Sequence, residues 1–591
     1  MVGAVPESSG FASIFLRRRR HALFLTPHAR DMGERRTRST GMRRFTFIKK
    51  PAIAFGLGLT SALGFAPLNW WFLTMLCMAG LMWLLLDASR LRDVALRGWC
   101  FGVGHFTVGL NWIATAFGFQ QAMPAWLGWI AVVLLAVYLA FYPMGAAMLA
   151  WWLHRAPLLL AARRRRIEEV RRRSKLKRLI PEGMESPPVA LPMTRPSAYG
   201  FVPLFAGAWI LAELLRSTAF TGFAWNPLAA IMIDRTVAEP AWLGLSRLVG
   251  TYGLSGWMIM LSGIWVLIAL PGGKRVRWQR AGWALLVAML AQILSAYMLR
   301  PLPARSALAL VVVQPNINQN EKWDPKLQAA NLARLAELTG RPGAAPRLVL
   351  WPEAATADYL ELEPAARARI AALLGPDDKI MLGGDSLIFD KAGDLIAAHN
   401  SLFALDARGR ILARYDKAHL VPYGEYLPAR TLLSAIGLSR LVPGDIDFRP
   451  GPGPRTLAIP GFGKAGVQIC YEIIFSGRIV DPADRPDFLF NPSNDAWFGA
   501  WGPPQHLAQA RLRAAEEGVP IFRSTPTGIS AVIDADGRLL STIGWHAAGR
   551  IATVLPSPRP PTPFALFGNL TPLLFALALL MTGIAITVKL R

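Results

Sequence analysis

The sequence predicts a two-part membrane protein: an eight-helix transmembrane bundle and, placed before its last helix, an extramembrane α/β domain. Three observations predict it. Of the 591 residues, 53% are hydrophobic and only 17% charged, which suits neither a disordered chain nor an ordinary soluble domain. The apolar residues gather into runs long enough to cross a hydrocarbon layer roughly 30 Å thick, which takes about 20 helical residues. Residues 301–563 depart from that habit and alternate short β-rich runs with helical patterns. The 21 Trp and 29 Phe fit aromatic belts at membrane surfaces.

The eight apolar stretches are 48–66, 67–87, 97–119, 125–153, 200–220, 251–270, 281–300 and 564–588, the first two joined tightly through Ala66-Pro67-Leu68-Asn69. A formal net charge of +26 suggests nucleic acid, but the basic residues fall between hydrophobic runs and not on one folded surface, so no nucleic-acid partner is expected. Segments 1–50, 87–98, 154–199, 271–280 and 589–591 hold 12, 3, 12, 4 and 2 Lys and Arg. With eight spans all five lie on one side, and they account for +24 of the net +26. Retention of Lys and Arg in the cytoplasm then orients the chain. Residues 1–47 form a basic cytoplasmic segment, 48–300 a seven-helix membrane domain with a basic cytoplasmic insert at 154–199, and 564–591 the eighth helix and a cytoplasmic tail. Residues 301–563 fall on the outer face, which in a bacterial cell is the periplasm.

The run Arg163–Arg178 reads as a cytoplasmic amphipathic anchor beside a span, and Arg17–Arg20 is read alike. Met42-Arg43-Arg44 offers an alternative start, and 42–66 resembles an uncleaved signal anchor. Cysteines are sparse. Cys77 and Cys100 fall in predicted spans and read as small packing hydrophobes, and Cys470 alone lies in the outer domain. Neither a disulfide framework nor zinc spacing exists, and an isolated thiol in an oxidising compartment is a liability unless it has work to do.

In the outer domain, strands are expected at Ala307–Gln314, Leu348–Trp351, Lys379–Gly384, Ser401–Leu405, Ile411–Tyr415, Lys464–Cys470, Phe488–Asn491, Ile521–Ser524 and Ile529–Ile533. Helices are expected at about 325–339, 364–374 and 503–517. The runs 401–405, 411–415 and 529–541 look hairpin-like, so the sheet should be mixed. Polar residues collect at the C-terminal ends of apolar strands, where open α/β sheets place their chemistry. Glu353 follows Leu348–Trp351, Asp416-Lys417 follows Ile411–Tyr415, and Cys470-Tyr471-Glu472 follows Ala465–Ile469.

Together these residues suit a cysteine nucleophile. A thiol needs a base or a cation to become a thiolate. Glu353 can accept the proton, Lys417 can stabilise thiolate and oxyanion, and a main-chain N–H just after Cys470 can complete an oxyanion hole. No convincing Cys/His pair competes: His419 and His506 read as surface residues or as residues one step removed from the reacting groups.

The motifs Trp351-Pro352-Glu353, Tyr415-Asp416-Lys417 with Val421-Pro422-Tyr423-Gly424-Glu425, and Cys470-Tyr471-Glu472 resemble the Glu-Lys-Cys signature of the nitrilase superfamily. Asn494-Asp495-Ala496-Trp497-Phe498-Gly499, then Gln505-His506 and an Arg511–Glu516 helix, resemble the apolipoprotein N-acyltransferases more narrowly. So do Phe65-Ala66-Pro67, Gly109-Leu110-Asn111-Trp112 and Gly250–Gly253. The similarity runs from about 45 to 588.

The resemblance implies an α-β-β-α sandwich in the outer domain and a cofactor-free, metal-free ping-pong acyl transfer at the bacterial inner membrane. Cys470 would take an acyl chain from a phospholipid, typically phosphatidylethanolamine at sn-1, as a thioester. The α-amine of a diacylglyceryl-modified N-terminal cysteine on an apolipoprotein would then receive it, the last step of lipoprotein maturation. Glu353 is implied as general base, Lys417 as oxyanion and thiolate stabiliser, and Glu425 as the carboxylate that positions Lys417. Tyr471 and Glu472 match positions beside the nucleophile, and Trp323 matches a lipid-binding tryptophan. Bland readings stand beside three of these: Trp323 as an interfacial anchor, Glu472 as a structural ion-pair partner, Glu425 as a turn residue.

Glu213 and Arg216, three apart on the fifth span, are expected to pair or to reach the outer interface. Membrane lipids are the expected surroundings and a monomer the expected state. The Trp- and Gly-rich loop Ala496–Pro504 is a candidate lid, and Thr525-Pro526-Thr527-Gly528 departs from the family's Asn-rich turn. A membrane-anchored nitrilase-type amidase, hydrolysing a small amide with the same three residues, is the alternative.

Overall fold

The computed structural model describes residues 49–119, 123–176, 198–233, 242–298, 307–435, 441 and 447–590. The proposed start at Met42 and most of the N-terminal basic segment, with Arg17–Arg20, lie outside the described residues, as does the second half of the 154–199 insert.

Among the described residues, five helices combine the length and hydropathy of a membrane span: Leu127–Pro157, Ala198–Arg216, Leu243–Ala269, Lys274–Met298 and Leu570–Lys589. At 1.5 Å per residue, the 20 residues of the last cover about 30 Å. The three N-terminal stretches of the expected eight fold differently. They give helix at 49–61, Trp71–Leu86 and Leu91–Gly109. The first two are short because the chain turns through Phe65–Trp70 around a cis Ala66–Pro67 bond. The third begins before and ends before the expected 97–119, at Leu91–Gly109, and carries Arg92, Asp93 and Arg97 inside it, with Arg97 buried and 3.7 Å from Asp87. The helix begun at Phe141 runs unbroken to Leu176, through Pro157 and into the basic insert. Small residues let the helices approach: a Cβ on Gly200 would lie 2.1 Å from Thr587 Oγ1 and 2.9 Å from the Gly583 carbonyl.

The extramembrane part is two six-stranded sheets, ordered β12-β1-β2-β3-β4-β5 and β11-β10-β9-β8-β7-β6. The first holds β1 (Ala309–Gln314), β2 (Arg347–Leu350), β3 (Lys379–Phe389), β4 (Leu395–Asp406), β5 (Ile411–Asp416) and β12 (Gly549–Val554). The second holds β6 (Thr456–Ile459), β7 (Gly463–Val467), β8 (Phe488–Pro492), β9 (Ile521–Ser524), β10 (Ser530–Ile533) and β11 (Leu539–Ile543). Both are mixed: β1, β2 and β3 run parallel, as do β7, β8 and β9, and the remaining pairs are antiparallel.

Strand alternation builds the layers. Leu310, Val312, Leu348, Leu350, Met381 and Leu402 share one core with Ala465, Val467, Phe490 and Ile521 of the other sheet. Val311, Val313, Val349, Ile380, Leu382 and Phe403 face the opposite way, onto Leu335, Ala366 and Ile370 of helices Gln328–Thr339 and Pro364–Ala371. Helix Gly502–Glu517 covers the second sheet and completes an α-β-β-α sandwich. That helix has two apolar faces. Leu507, Ala510 and Ala514 enter the sheet core, while Ala508, Leu512 and Ala515 enter the membrane core with Leu243, Leu254 and Ile210. The second sheet and the helical bundle are therefore fixed to opposite sides of one buried helix.

Candidate active site

Each of the three strand-end residues sits where an apolar strand gives out. Glu353 lies three residues beyond β2, on a segment held by Trp351 N–H to the Met381 carbonyl (2.9 Å) and Gly383 N–H to the Pro352 carbonyl (3.2 Å). Gly383 permits that approach, since a Cβ there would stand 2.4 Å from the Ala354 nitrogen and 2.8 Å from Glu353 Cα. Lys417 follows β5 directly, its N–H bonded to the Asn400 carbonyl (2.9 Å) and its carbonyl accepting from Gly451 N–H (2.8 Å). Cys470 opens the short 3₁₀ turn Cys470–Ile474 after β7, buried, at φ +51°. A non-glycine residue in that left-handed region is strained, and surrounding contacts must hold it there.

The structure brings the carboxylates and the cation into one buried cluster. Lys417 Nζ donates to Glu425 Oε1 at 2.9 Å and lies 3.6 Å from Glu353 Oε1. Asn400 Nδ2, on β4, donates to Glu353 Oε1 (2.7 Å) and to Glu425 Oε1 (2.9 Å). Glu425 Oε2 accepts from Val421 N–H at 2.8 Å, so this loop carboxylate is more than a turn residue. Glu353 Oε2 is buried and has no hydrogen-bond partner. An orphaned carboxylate oxygen is costly to bury and is the atom free to take a proton.

The electrostatics agree with that geometry. Burial and the Glu353 charge push the Cys470 thiol well above its ordinary range, while Lys417 and the Asn494 N–H pull it down. For Lys417, burial works against the charge but is outweighed by Glu425 and Glu353, which keep the ammonium protonated far into the alkaline range. The resting state is thus a thiol beside a carboxylate and a fixed cation.

Glu472 ties this cluster to the nucleophile turn. Its Oε2 accepts from Ile469 N–H (2.7 Å), and its Oε1 from Tyr415 OH (2.9 Å), Ala418 N–H (2.8 Å) and His419 N–H (3.0 Å), the residues that flank Lys417. Burial raises its carboxyl to about 7 against the pull of Lys417 and those donors. Tyr471 is buried with its OH 3.4 Å from the Gly222 carbonyl, directed at the membrane part and not at Lys417. Trp323 stands apart, 42% exposed, with the Lys322 ammonium 5.5 Å from its ring.

Neither histidine is a surface residue. His419 is half-buried against Phe475, ring centroids 4.0 Å apart. His506 is fully buried, with Nε2 3.1 Å from the Cys470 carbonyl and Nδ1 3.0 Å from both Asp495 Oδ1 and Arg523 Nη2. Burial and the Arg523 charge lower its pKa to about 4, so the ring is neutral. A neutral ring pairs with a carbonyl only by donating from Nε2, which leaves Nδ1 to accept from Arg523. Arg523 itself spans Asp495, Ser493 and Asn491 at 2.6, 3.0 and 2.5 Å. This second cluster holds the Cys470 backbone, and it also touches the membrane part. Trp225, with its ring 5.1 Å from His506, donates to Gln505 Oε1 (2.9 Å), and Gln505 donates to the Ala66 carbonyl (3.0 Å). Trp112 packs on Trp225 and Phe498 at 4.4 and 4.6 Å.

Sequence reasoning missed Asn400, Arg523 and Lys322. Arg523 left a signal, a charge inside an otherwise apolar buried strand, and so did Asn400 within the run of β4. Glu213 and Arg216 are both buried. Glu213 Oε1 accepts from Trp209 Nε1 (3.0 Å) and Leu228 N–H (2.8 Å), and Arg216 donates to the Trp225 carbonyl (2.6 Å). Cys77 is buried and Cys100 half-buried.

Two family models match the chain: the carbon-nitrogen hydrolases over residues 309–556, and the apolipoprotein N-acyltransferase N-terminal domain over 57–172 and 187–264. The chain is 34% identical over 556 residues to an apolipoprotein N-acyltransferase of Caulobacter vibrioides, covering 90% of this chain and 93% of the relative. It is 32% identical over 557 residues to that of Bradyrhizobium diazoefficiens, covering 90% and 94%. Against that of Rhodopseudomonas palustris the identity is 30% over 543 residues, covering 88% and 92%.

Proposed function

We propose, because the chain belongs to the apolipoprotein N-acyltransferase family, that it moves an acyl chain from a phospholipid through a Cys470 thioester to the N-terminal amine of a diacylglyceryl-modified apolipoprotein. The observation that carries this is the buried thiol beside Glu353 and Lys417, in a domain seated through helix Gly502–Glu517 on membrane helices. A hydrolase of small soluble amides has no use for that seat. Two membrane-held substrates that must reach one thiol laterally do.

In the first half-reaction Glu353 Oε2 takes the Cys470 proton as Sγ attacks the ester carbonyl. The oxyanion is stabilised by Lys417 and by main-chain N–H groups after Cys470. The C–O bond then breaks, Glu353 returns the proton to the leaving lysophospholipid, and the thioester remains. In the second, the α-amine attacks the thioester, Glu353 accepts its proton, and the C–S bond breaks to release the amide and the thiol. Glu425 and Asn400 hold Lys417 and Glu353 at their spacing, Glu472 locks the Lys417 strand to the Cys470 turn, and Trp323 meets lipid. Phosphatidylethanolamine is the donor we assign. The five span-length helices cross the bacterial inner membrane, the three N-terminal stretches join them in one eight-stretch membrane domain, and the sandwich faces the periplasm.

Intact-mass measurement of detergent-purified protein given phosphatidylethanolamine alone tests this. A hydroxylamine-labile adduct of one acyl chain is expected, absent from Cys470→Ser, and lost when a diacylglyceryl-cysteine peptide is added. Release of free fatty acid without adduct or peptide acylation would overturn it in favour of a hydrolase.

A further inference from the structure

The acyl-transfer cluster is short of positive charge. Glu353 and Glu425 share one buried cation, Lys417, and Glu472 sits across from that same ammonium. Moving the Cys470 proton to Glu353 relocates the excess negative charge to sulfur without removing it. Uncompensated charge in a buried site costs several kcal/mol, by the general cost of burying ions.

The loop between β1 and helix Gln328–Thr339 supplies what is missing. Its backbone is tightly wound: Glu321 and Lys322 N–H both bond to the Asn318 carbonyl at 3.1 Å, and Asn331 Nδ2 donates to the Glu321 carbonyl at 3.2 Å. It is tied across the site at two points. Gln319 Oε1 accepts from Asn494 Nδ2 at 2.7 Å, beside the thiol, and Lys322 Nζ donates to the Glu353 main-chain carbonyl at 3.0 Å. Burial lowers the Lys322 ammonium to about 8 against the pull of the Glu353 and Asp385 carboxylates and of Cys470, so it is charged at neutral pH. One of its three N–H groups is spent on the carbonyl, and an ammonium is a compact charge that serves several acceptors at once. Its neighbour Trp323 points outward on the same turn.

Resting on the acyl-transfer reading, we propose that Lys322 is a positioning residue for acylation, a second cation held on the Glu353 main chain that fixes the Glu353 backbone and balances the charge of the thiolate as it forms. With Lys322 in place two ammonium groups, Lys417 and Lys322, face the Glu353 and Glu425 carboxylates, so the charge carried to sulfur when the proton moves has a second cation to meet it.

The test is the rate of acyl-enzyme formation on phosphatidylethanolamine, by intact mass from pH 6 to 9, for the full chain and its Lys322→Met and Lys322→Arg variants. Lys322→Met is expected to slow acylation by roughly 10- to 100-fold, less than loss of a direct oxyanion donor, and to move the rise of rate with pH to higher pH. Lys322→Arg should restore both. If Lys322→Met does not fold, Lys322→Gln is read in the same way. Wild-type rate and pH profile in the neutral variant, or a slower rate with an unmoved profile that arginine does not rescue, would overturn the assignment while the wild-type thioester still stands. Absence of the thioester from wild type overturns the acyl-transfer reading itself, and this inference with it.

Discussion

Two buried ionic clusters flank Cys470, and they are built to different ends. On one side Glu353, Lys417, Glu425 and Asn400 leave a carboxylate oxygen, Glu353 Oε2, with no partner. On the other, Asp495, Arg523 and His506 occupy both Asp495 oxygens and both nitrogens of the His506 ring. The first cluster accepts an unmet acceptor and the desolvation cost that goes with it. The second spends its polar groups on holding the backbone of a residue at φ +51°. On the mechanism proposed, the contrast separates groups that exchange a proton from groups that hold the nucleophile still, although both sets are buried.

The largest effect that can break this comparison falls on the first cluster. Glu353→Gln keeps the shape and the Asn400 contact region but cannot accept a proton. Acyl-enzyme formation should fall by about 10²- to 10⁴-fold, the usual worth of a general base, with the thermal midpoint near wild type. A variant that acylates normally would remove Glu353 from the chemistry. Arg523→Met does the converse, stranding Asp495 as a buried charge at a cost of about 3–5 kcal/mol. Thermal unfolding in detergent should show the loss, and the protein that remains folded should still form the adduct. An undiminished midpoint with no adduct would make the second cluster chemical and dissolve the distinction.

Gly383 sharpens the comparison at the level of backbone. A methyl group at this position would meet the Ala354 nitrogen at 2.4 Å, so Gly383→Ala must displace the Glu353 segment. Overpacking of this kind costs roughly 1–3 kcal/mol. Here it should slow acylation more than it lowers the midpoint, because the displaced atoms belong to the base. Equal loss of both would place Gly383 in the scaffold alone.

How much of this was legible follows from distance along the chain. Glu353, Lys417 and Cys470 could be read because each ends an apolar strand, and a strand end is a local signal. Asn400 and His506 could not be assigned. Asn400 joins two carboxylates 47 and 25 residues away, and His506 reaches a carbonyl 36 residues away, so only the fold brings them together. The strands β6 and β12 were missed because Thr456–Ile459 carries an exposed Ala458 and Gly549–Val554 an exposed Arg550, which break up their apolar runs. Helix Gly502–Glu517 was placed to within a residue, but its double burial was hidden: Gln505, His506, Gln509, Arg511 and Arg513 look like a solvent face and are all buried. In the membrane part, hydropathy located the apolar stretches, but the turn at Phe65–Trp70 and the charges of Leu91–Gly109 decide which stretches have a span's length and polarity.

The smallest predicted effect is a slope. His506 is neutral in the fold, with a pKa lowered to about 4 from an ordinary 6.5, first by burial and then by Arg523. Between those values the unfolded chain binds a proton that the folded chain refuses, so acid favours unfolding. The contribution to stability is whole above pH 6.5, declines as pH falls toward 4, and does so by at most about 1.4 kcal/mol per pH unit for one group. His419, also lowered to about 4, adds a decline of the same sign over the same window. His506→Gln should therefore flatten the acid-side fall of the thermal midpoint without abolishing it, while lowering the midpoint at neutral pH through the lost hold on Cys470. A variant whose midpoint falls with acid as steeply as wild type would mean that His506 is already protonated in the folded protein. The neutral ring that donates to the Cys470 carbonyl would then have to be abandoned, and with it the division of labour between the two clusters.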